Sequence, residues 1–179
     1  MKLAMKHAMQ PAMKLLQIAT GALALALSLG SAAAQQGLRD KLVGTWTFVV
    51  AEITAPDGKK SFPFGETPKG MLIFTPDGHF SQIHIASDVP KIASNNRLNG
   101  TAEEYAAIMR RSLSMFGTYK VDEAKGTVTF EIVSSTYPNA QGQSQLRTID
   151  KLTDDEFVNS NPDVAGGRGS AFNLYKRVK

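Results

Sequence analysis

Leu42-Val43-Gly44-Thr45-Trp46-Thr47-Phe48-Val49-Val50 carries the only tryptophan of the 179-residue chain and opens its first long β-rich run. Gly44 permits a close backbone approach that a Cβ would block. The β-branched and aromatic residues behind it favour a strand. Read from these residues alone, the Trp is a core aromatic at the start of that strand.

Upstream of this stretch the chain reads as a targeting segment. Lys2, Lys6 and Lys14 form a positive n-region, Leu15 to Leu29 an apolar h-region, and Ala32-Ala33-Ala34 a small-residue cleavage site. The h-region is short for a spanning helix, which needs about 20 apolar residues. No Cys follows it to take a lipid. The pattern predicts a cleaved signal peptide over 1–34, a domain over 35–179 beginning at Gln35, and a periplasmic or secreted protein with no stable membrane anchor.

Cleavage changes the charge. Twenty Lys and Arg stand against sixteen Asp and Glu in the whole chain. Three of those lysines precede residue 35 with no acid among them, which leaves seventeen against sixteen. A nearly neutral domain has little to offer a phosphate backbone, so no nucleic-acid partner is expected. With no cysteine, an exported domain must hold together by its core alone.

Downstream of Trp46, strands alternate with turn chemistry. Ala55-Pro56-Asp57-Gly58-Lys59 is a turn, and Phe62 to Gly70 is irregular because two prolines withhold ladder donors. Met71 to Thr75, the turn Pro76-Asp77-Gly78, and His79 to Ala86 form a hairpin. Ser87 to Gly100 is a loop, and Thr101-Ala102-Glu103-Glu104 is a capping box. The helix it starts carries Tyr105, Ile108, Met109, Ser112, Leu113 and Phe116 at helical spacing and is expected to run to Gly117. Strand patterns follow at Thr118–Asp122, Thr127–Thr136, Gln143–Leu152, Glu156–Asn161 and Ser170–Val178. They are separated by a turn at Glu123–Gly126, a loop at Tyr137–Gly142, Thr153-Asp154-Asp155, and Gly166-Gly167-Arg168-Gly169. About eight short antiparallel strands with one inserted helix, and no βαβ alternation, predict an all-β up-and-down barrel or a sandwich. A barrel of about eight strands is just wide enough to hold one small ligand.

The ordered motifs carry a resemblance. They are Leu42–Trp46, Gly70–His79, Phe116–Glu123 continuing to Gly126–Thr129, Tyr137-Pro138-Asn139 with Gly142 and Arg147, and Leu174–Arg177. In this order and spacing, from Leu42 to Arg177, the chain resembles the bacterial lipocalin-like domain family. The resemblance implies a lipocalin-like barrel whose closed end is built by Gly44 and Trp46, with Arg177 of the last strand laid against the Trp46 ring. The family is defined by fold more than by activity. It often has His at the positions of Phe130 and Glu131 and a Trp where Ala140 stands, so no ligand is carried over from it.

The chemistry-bearing residues are few. His79 and His84 are the only histidines after the signal segment, and they lie on opposite faces of one strand. No convergent metal site is expected, no cofactor, and no nucleophile elbow or Cys nucleophile. Glu103 and Glu104 are first-turn helix charges, and Gly166–Gly169 lacks the Lys-Ser/Thr ending of a phosphate loop. Arg147, in the middle of Gln143–Ile149, is the residue of interest. Facing inward it must be paired or meet an anion; facing outward it is a solvated Arg with its stem on the wall. Inward, with Tyr119, Gln82, His84 and Glu131 as orienting polar groups, it makes a ligand site. Three readings stay open: a carrier of a small, mostly apolar molecule; a barrel-cavity enzyme (isomerase, cyclase or hydrolase-like) with Glu131 or His84 as base; and a packed barrel serving as a structural or interaction module. The protein partner and oligomeric state are not legible.

Overall fold

Every long strand of the molecule is antiparallel to both of its neighbours, and the last pairs with the first. The computed structural model describes residues 37–162, 164 and 169–179. The predicted signal peptide and Gly166-Gly167-Arg168 lie outside those residues. Elements in chain order are helix α1 (Gly37–Leu42) and strands β1 (Gly44–Thr54), β2 (Lys60–Ser61), β3 (Lys69–Phe74) and β4 (His79–Ile85). Helix α2 (Ala102–Arg110) follows, then β5 (Ser112–Asp122), β6 (Thr127–Ser135), a 3₁₀ turn at Pro138–Ala140, β7 (Ser144–Leu152), β8 (Glu156–Asn161) and β9 (Ser170–Arg177). The strand order is β2-β1-β3-β4-β5-β6-β7-β8-β9 with an additional β1–β9 pairing. The result is a closed eight-stranded barrel with the two-residue β2 appended to the end of β1. Among the described residues no helix is long and apolar enough to cross a membrane.

Inner and outer faces follow the period-two alternation of strands. Trp46 and Phe48 point inward from β1, Leu72 and Phe74 from β3, Phe80 and His84 from β4. Val128, Phe130 and Ile132 do so from β6, and Phe157 and Tyr175 from β8 and β9. A bulge between Phe48 and Val50 shifts the parity of β1, so that Ala51 again faces inward.

The helix after the loop is shorter than the sequence predicts. The capping box forms: the Thr101 hydroxyl accepts from the Glu104 amide at 3.2 Å, and the Glu104 carboxylate accepts from the Thr101 amide at 2.8 Å. α2 nevertheless ends at Arg110, and Ser112 to Gly117 belongs to β5. Leu113 and Phe116, members of the predicted helical stripe, therefore lie on opposite faces, Leu113 lining the barrel cavity and Phe116 half-exposed. Pairing of Ser112–Thr118 with Ile85–His79 of β4 supplies a continuous ladder that a helix would forfeit. Gly117 lies within that strand. A Cβ there would come within 1.9 Å of the Glu131 carbonyl oxygen, where β5 and β6 close against each other at a bulge.

Candidate functional site

The closed end of the barrel is filled. Trp46 is fully buried and its indole N–H donates to the Leu42 carbonyl at 2.8 Å, which ties α1 to the barrel floor. The Arg177 guanidinium lies 4.0 Å from the Trp46 ring centroid. It also donates to the backbone carbonyls of Asp154 at 2.6 Å, Val43 at 3.0 Å, and Lys41. Gly44, with φ of 130°, makes room: a Cβ there would approach Arg177 Nη1 to 2.7 Å. Phe74, Phe157, Phe130 and Tyr119 pack above this floor in edge-to-face and tilted pairs.

Toward the other end a cavity of about 180 Å³ opens inside the barrel, lined from β1 and from β4 through β9. Its polar wall includes Gln82 and His84 from β4, Gln145 and Arg147 from β7, Asn159 from β8, and Asn173 and Tyr175 from β9. Its apolar wall includes Met115, Phe130, Ala140 and Leu113, with Pro63 and Phe64 reaching in from the irregular segment before β3. Arg111 holds that segment at the rim, donating to the Pro63 carbonyl at 3.5 Å while pairing with the Asp88 carboxylate.

His84 is the most constrained polar group. It is 3% exposed, stacked on Phe48 with centroids 3.7 Å apart, and met edge-on by Phe64. Its Nε2 and the Tyr175 hydroxyl share a hydrogen bond of 3.0 Å. Burial, with the nearby Arg147 charge as the second cause, pushes the imidazole pKa down to about 3, so His84 is neutral at physiological pH. Burial likewise pushes the Tyr175 phenol well above its ordinary range, against the opposing pull of Arg147 and a hydrogen bond from Asn159. Asn173 donates to Asn159 at 3.2 Å. These four side chains form one hydrogen-bonded chain.

Arg147 differs. Its guanidinium donates to Gln145 Oε1 at 2.7 Å and to the Leu146 carbonyl at 3.0 Å. Among the described residues it forms no ion pair with a carboxylate. Burial works against its charge and holds its pKa below the ordinary value.

Of the predicted site residues, the structure brings Arg147, His84 and Gln82 to one cavity and leaves two elsewhere. Tyr119 faces inward but lies deeper, its hydroxyl donating to the Thr75 carbonyl at 2.9 Å and its ring T-shaped on Phe74. Glu131 sits between inward-facing Phe130 and Ile132 and therefore points out, where it accepts from the Ser144 hydroxyl at 3.1 Å. The alternation of Val128, Phe130 and Ile132 already carried that parity. Asn159, Asn173 and Tyr175 were missed; the signal for them was inward parity shared with Phe157 and Arg177.

The model of the lipocalin-like domain matches residues 43–171. The chain belongs to that lipocalin-like family. The match covers every barrel strand, β9 at its first residues and the others essentially throughout. Among solved structures, the chain is similar to a redesigned β-barrel: 18% identity, 79% of this chain and 94% of that one, TM-score 0.37. No curated protein matches. Among the described residues of this lipocalin-like domain, no three His, Cys, Asp or Glu side chains gather in a way that could hold a metal ion.

Proposed function

We propose that this lipocalin-like domain is an exported carrier that binds one small, mostly apolar molecule in its barrel and holds an anionic group of that molecule on Arg147. One observation carries the reading: an inward guanidinium without a carboxylate partner among the described residues, on the wall of a barrel cavity whose other lining side chains are apolar or uncharged. A cation left in such a place is costly unless a bound anion compensates it. The cavity volume speaks against a solidly packed barrel, and the outward Glu131 and the buried, weakly basic His84 speak against the two bases an enzyme reading would use. Export rests on the n-region, h-region and Ala32-Ala33-Ala34 order; intact mass of the periplasmic protein is expected to start at Gln35, and retention of Met1 would overturn it.

The test of binding is calorimetric. Octanoate and benzoate, with octanol and benzamide as uncharged matches, are titrated into wild type and Arg147→Met. Charge-assisted hydrogen bonds contribute about 1.5–3 kcal/mol, so the substitution is expected to weaken the acids roughly ten- to a hundredfold and to leave the uncharged compounds unchanged. Equal losses for both would mean a damaged barrel, and no binding of any acid by wild type would end the carrier reading.

A further inference from the structure

Size and unsatisfied polarity narrow the ligand. A cavity of about 180 Å³ lies below the roughly 300–1,000 Å³ of pockets for drug-sized ligands. It slightly exceeds the roughly 150 Å³ that accepts one benzene ring. A long acyl chain cannot be enclosed in that volume. The apolar walls favour a flat occupant, since Phe130, Phe64 and the Met115 thioether offer ring faces, edges and sulfur to an aromatic group.

The polar groups separate into two kinds. His84 Nε2, Tyr175, Asn159 and Asn173 are already joined to one another. Arg147 lacks an anion, and Gln82 makes no side-chain hydrogen bond among the described residues although it lines the cavity. β4 and β7 are separated by β5 and β6, so the two unmatched groups face the cavity from different sides. An amide both donates and accepts, as does a hydroxyl.

We infer that the ligand is a single-ring aromatic carboxylic acid bearing a hydroxyl away from the carboxylate, with the carboxylate on Arg147 and the hydroxyl on Gln82. The inference rests on the carrier reading above, and its test is built to fail separately from it.

Benzoate, 4-hydroxybenzoate, 4-methoxybenzoate, 2-naphthoate and myristate are titrated by calorimetry into the wild-type domain. 4-Hydroxybenzoate is expected to bind about three- to tenfold more tightly than benzoate, the effect of one net hydrogen bond. The methoxy compound, which has lost the donor, should bind no more tightly than benzoate. Naphthoate and myristate are expected at least about tenfold weaker, since an overfilled core is strained. In Gln82→Leu the ratio of 4-hydroxybenzoate to benzoate affinity should fall to about one, whatever the change in benzoate binding itself. Equal binding of benzoate and its hydroxylated form by wild type would overturn the Gln82 anchor, even if the variant failed to fold. Preference for myristate, with loss in Arg147→Met, would overturn the single-ring class while leaving the anion carrier intact. Absence of binding by all five acids, and by octanoate, would remove the carrier reading itself.

Discussion

The two ends of this barrel each hold an inward arginine, and they use it in opposite ways. At the closed end Arg177 is covered by the Trp46 ring and bonded to three backbone carbonyls, so its charge is distributed over the ends of α1 and the β8 turn. In the cavity Arg147 has one side-chain amide and one carbonyl. The first has three backbone acceptors and a ring face; the second has two acceptors and no carboxylate among the described residues. A guanidinium is a structural clamp where backbone carbonyls come to it, and it has fewer partners of its own where the strand ladder engages them.

The comparison breaks first at Trp46. Trp46→Ala removes a fully buried indole and its bond to Leu42 and is expected to cost about 3–5 kcal/mol, read as a large drop in the urea midpoint. A small change would mean that the floor is not the keystone of the core.

The second effect is one of pH. The His84 pKa is held at about 3 in the fold against 6.5 for the unfolded chain. The stabilising contribution of the neutral imidazole is therefore complete above pH 6.5. It declines as the pH falls from there toward 3, because the unfolded state takes up the proton first. The carboxylates whose pKa values are lowered, Asp77, Asp88, Asp122 and Glu104, begin from 3.8 or 4.5 and act mainly below this upper part of the window. Between pH 6.5 and 4.5 the domain should lose about 2–3 kcal/mol, measured by denaturant unfolding across pH. His84→Phe should flatten that slope. Arg147→Met should soften it, since the Arg147 charge is the second cause of the shift.

Arg177→Lys keeps the charge and loses the planar fork. The expected cost is about 1–2 kcal/mol with a change in Trp46 emission; an unchanged midpoint and unchanged emission would mean that the clamp is idle. Smallest is Arg147→Met without ligand, expected within about 1 kcal/mol of wild type and on the stabilising side, because it removes a partly desolvated cation. A clear destabilisation there would make Arg147 a second structural clamp and erase the difference between the two ends.

Much of this architecture was legible from local chemistry. Turn residues at Pro76-Asp77-Gly78 and the capping box at Thr101–Glu104 act over a few residues and appear where the sequence puts them. Face assignment was also local, since period two sends Arg147 and His84 inward and Glu131 outward; choosing Glu131 for the site went against a parity its neighbours already display. Three things were decided only in the closed barrel. The end of α2 depends on β4, whose ladder claims Ser112–Gly117 from a pattern equally readable as helix. The height of a side chain along the barrel axis depends on register between strands, which separates Tyr119 from Arg147 though both face inward. The meeting of His84 with Tyr175, 91 positions apart, depends on β9 returning to β1. Periodicity is a property of each strand alone, whereas register and closure belong to pairs of strands distant in the chain, and only their joint packing determines which inward residues share a cavity.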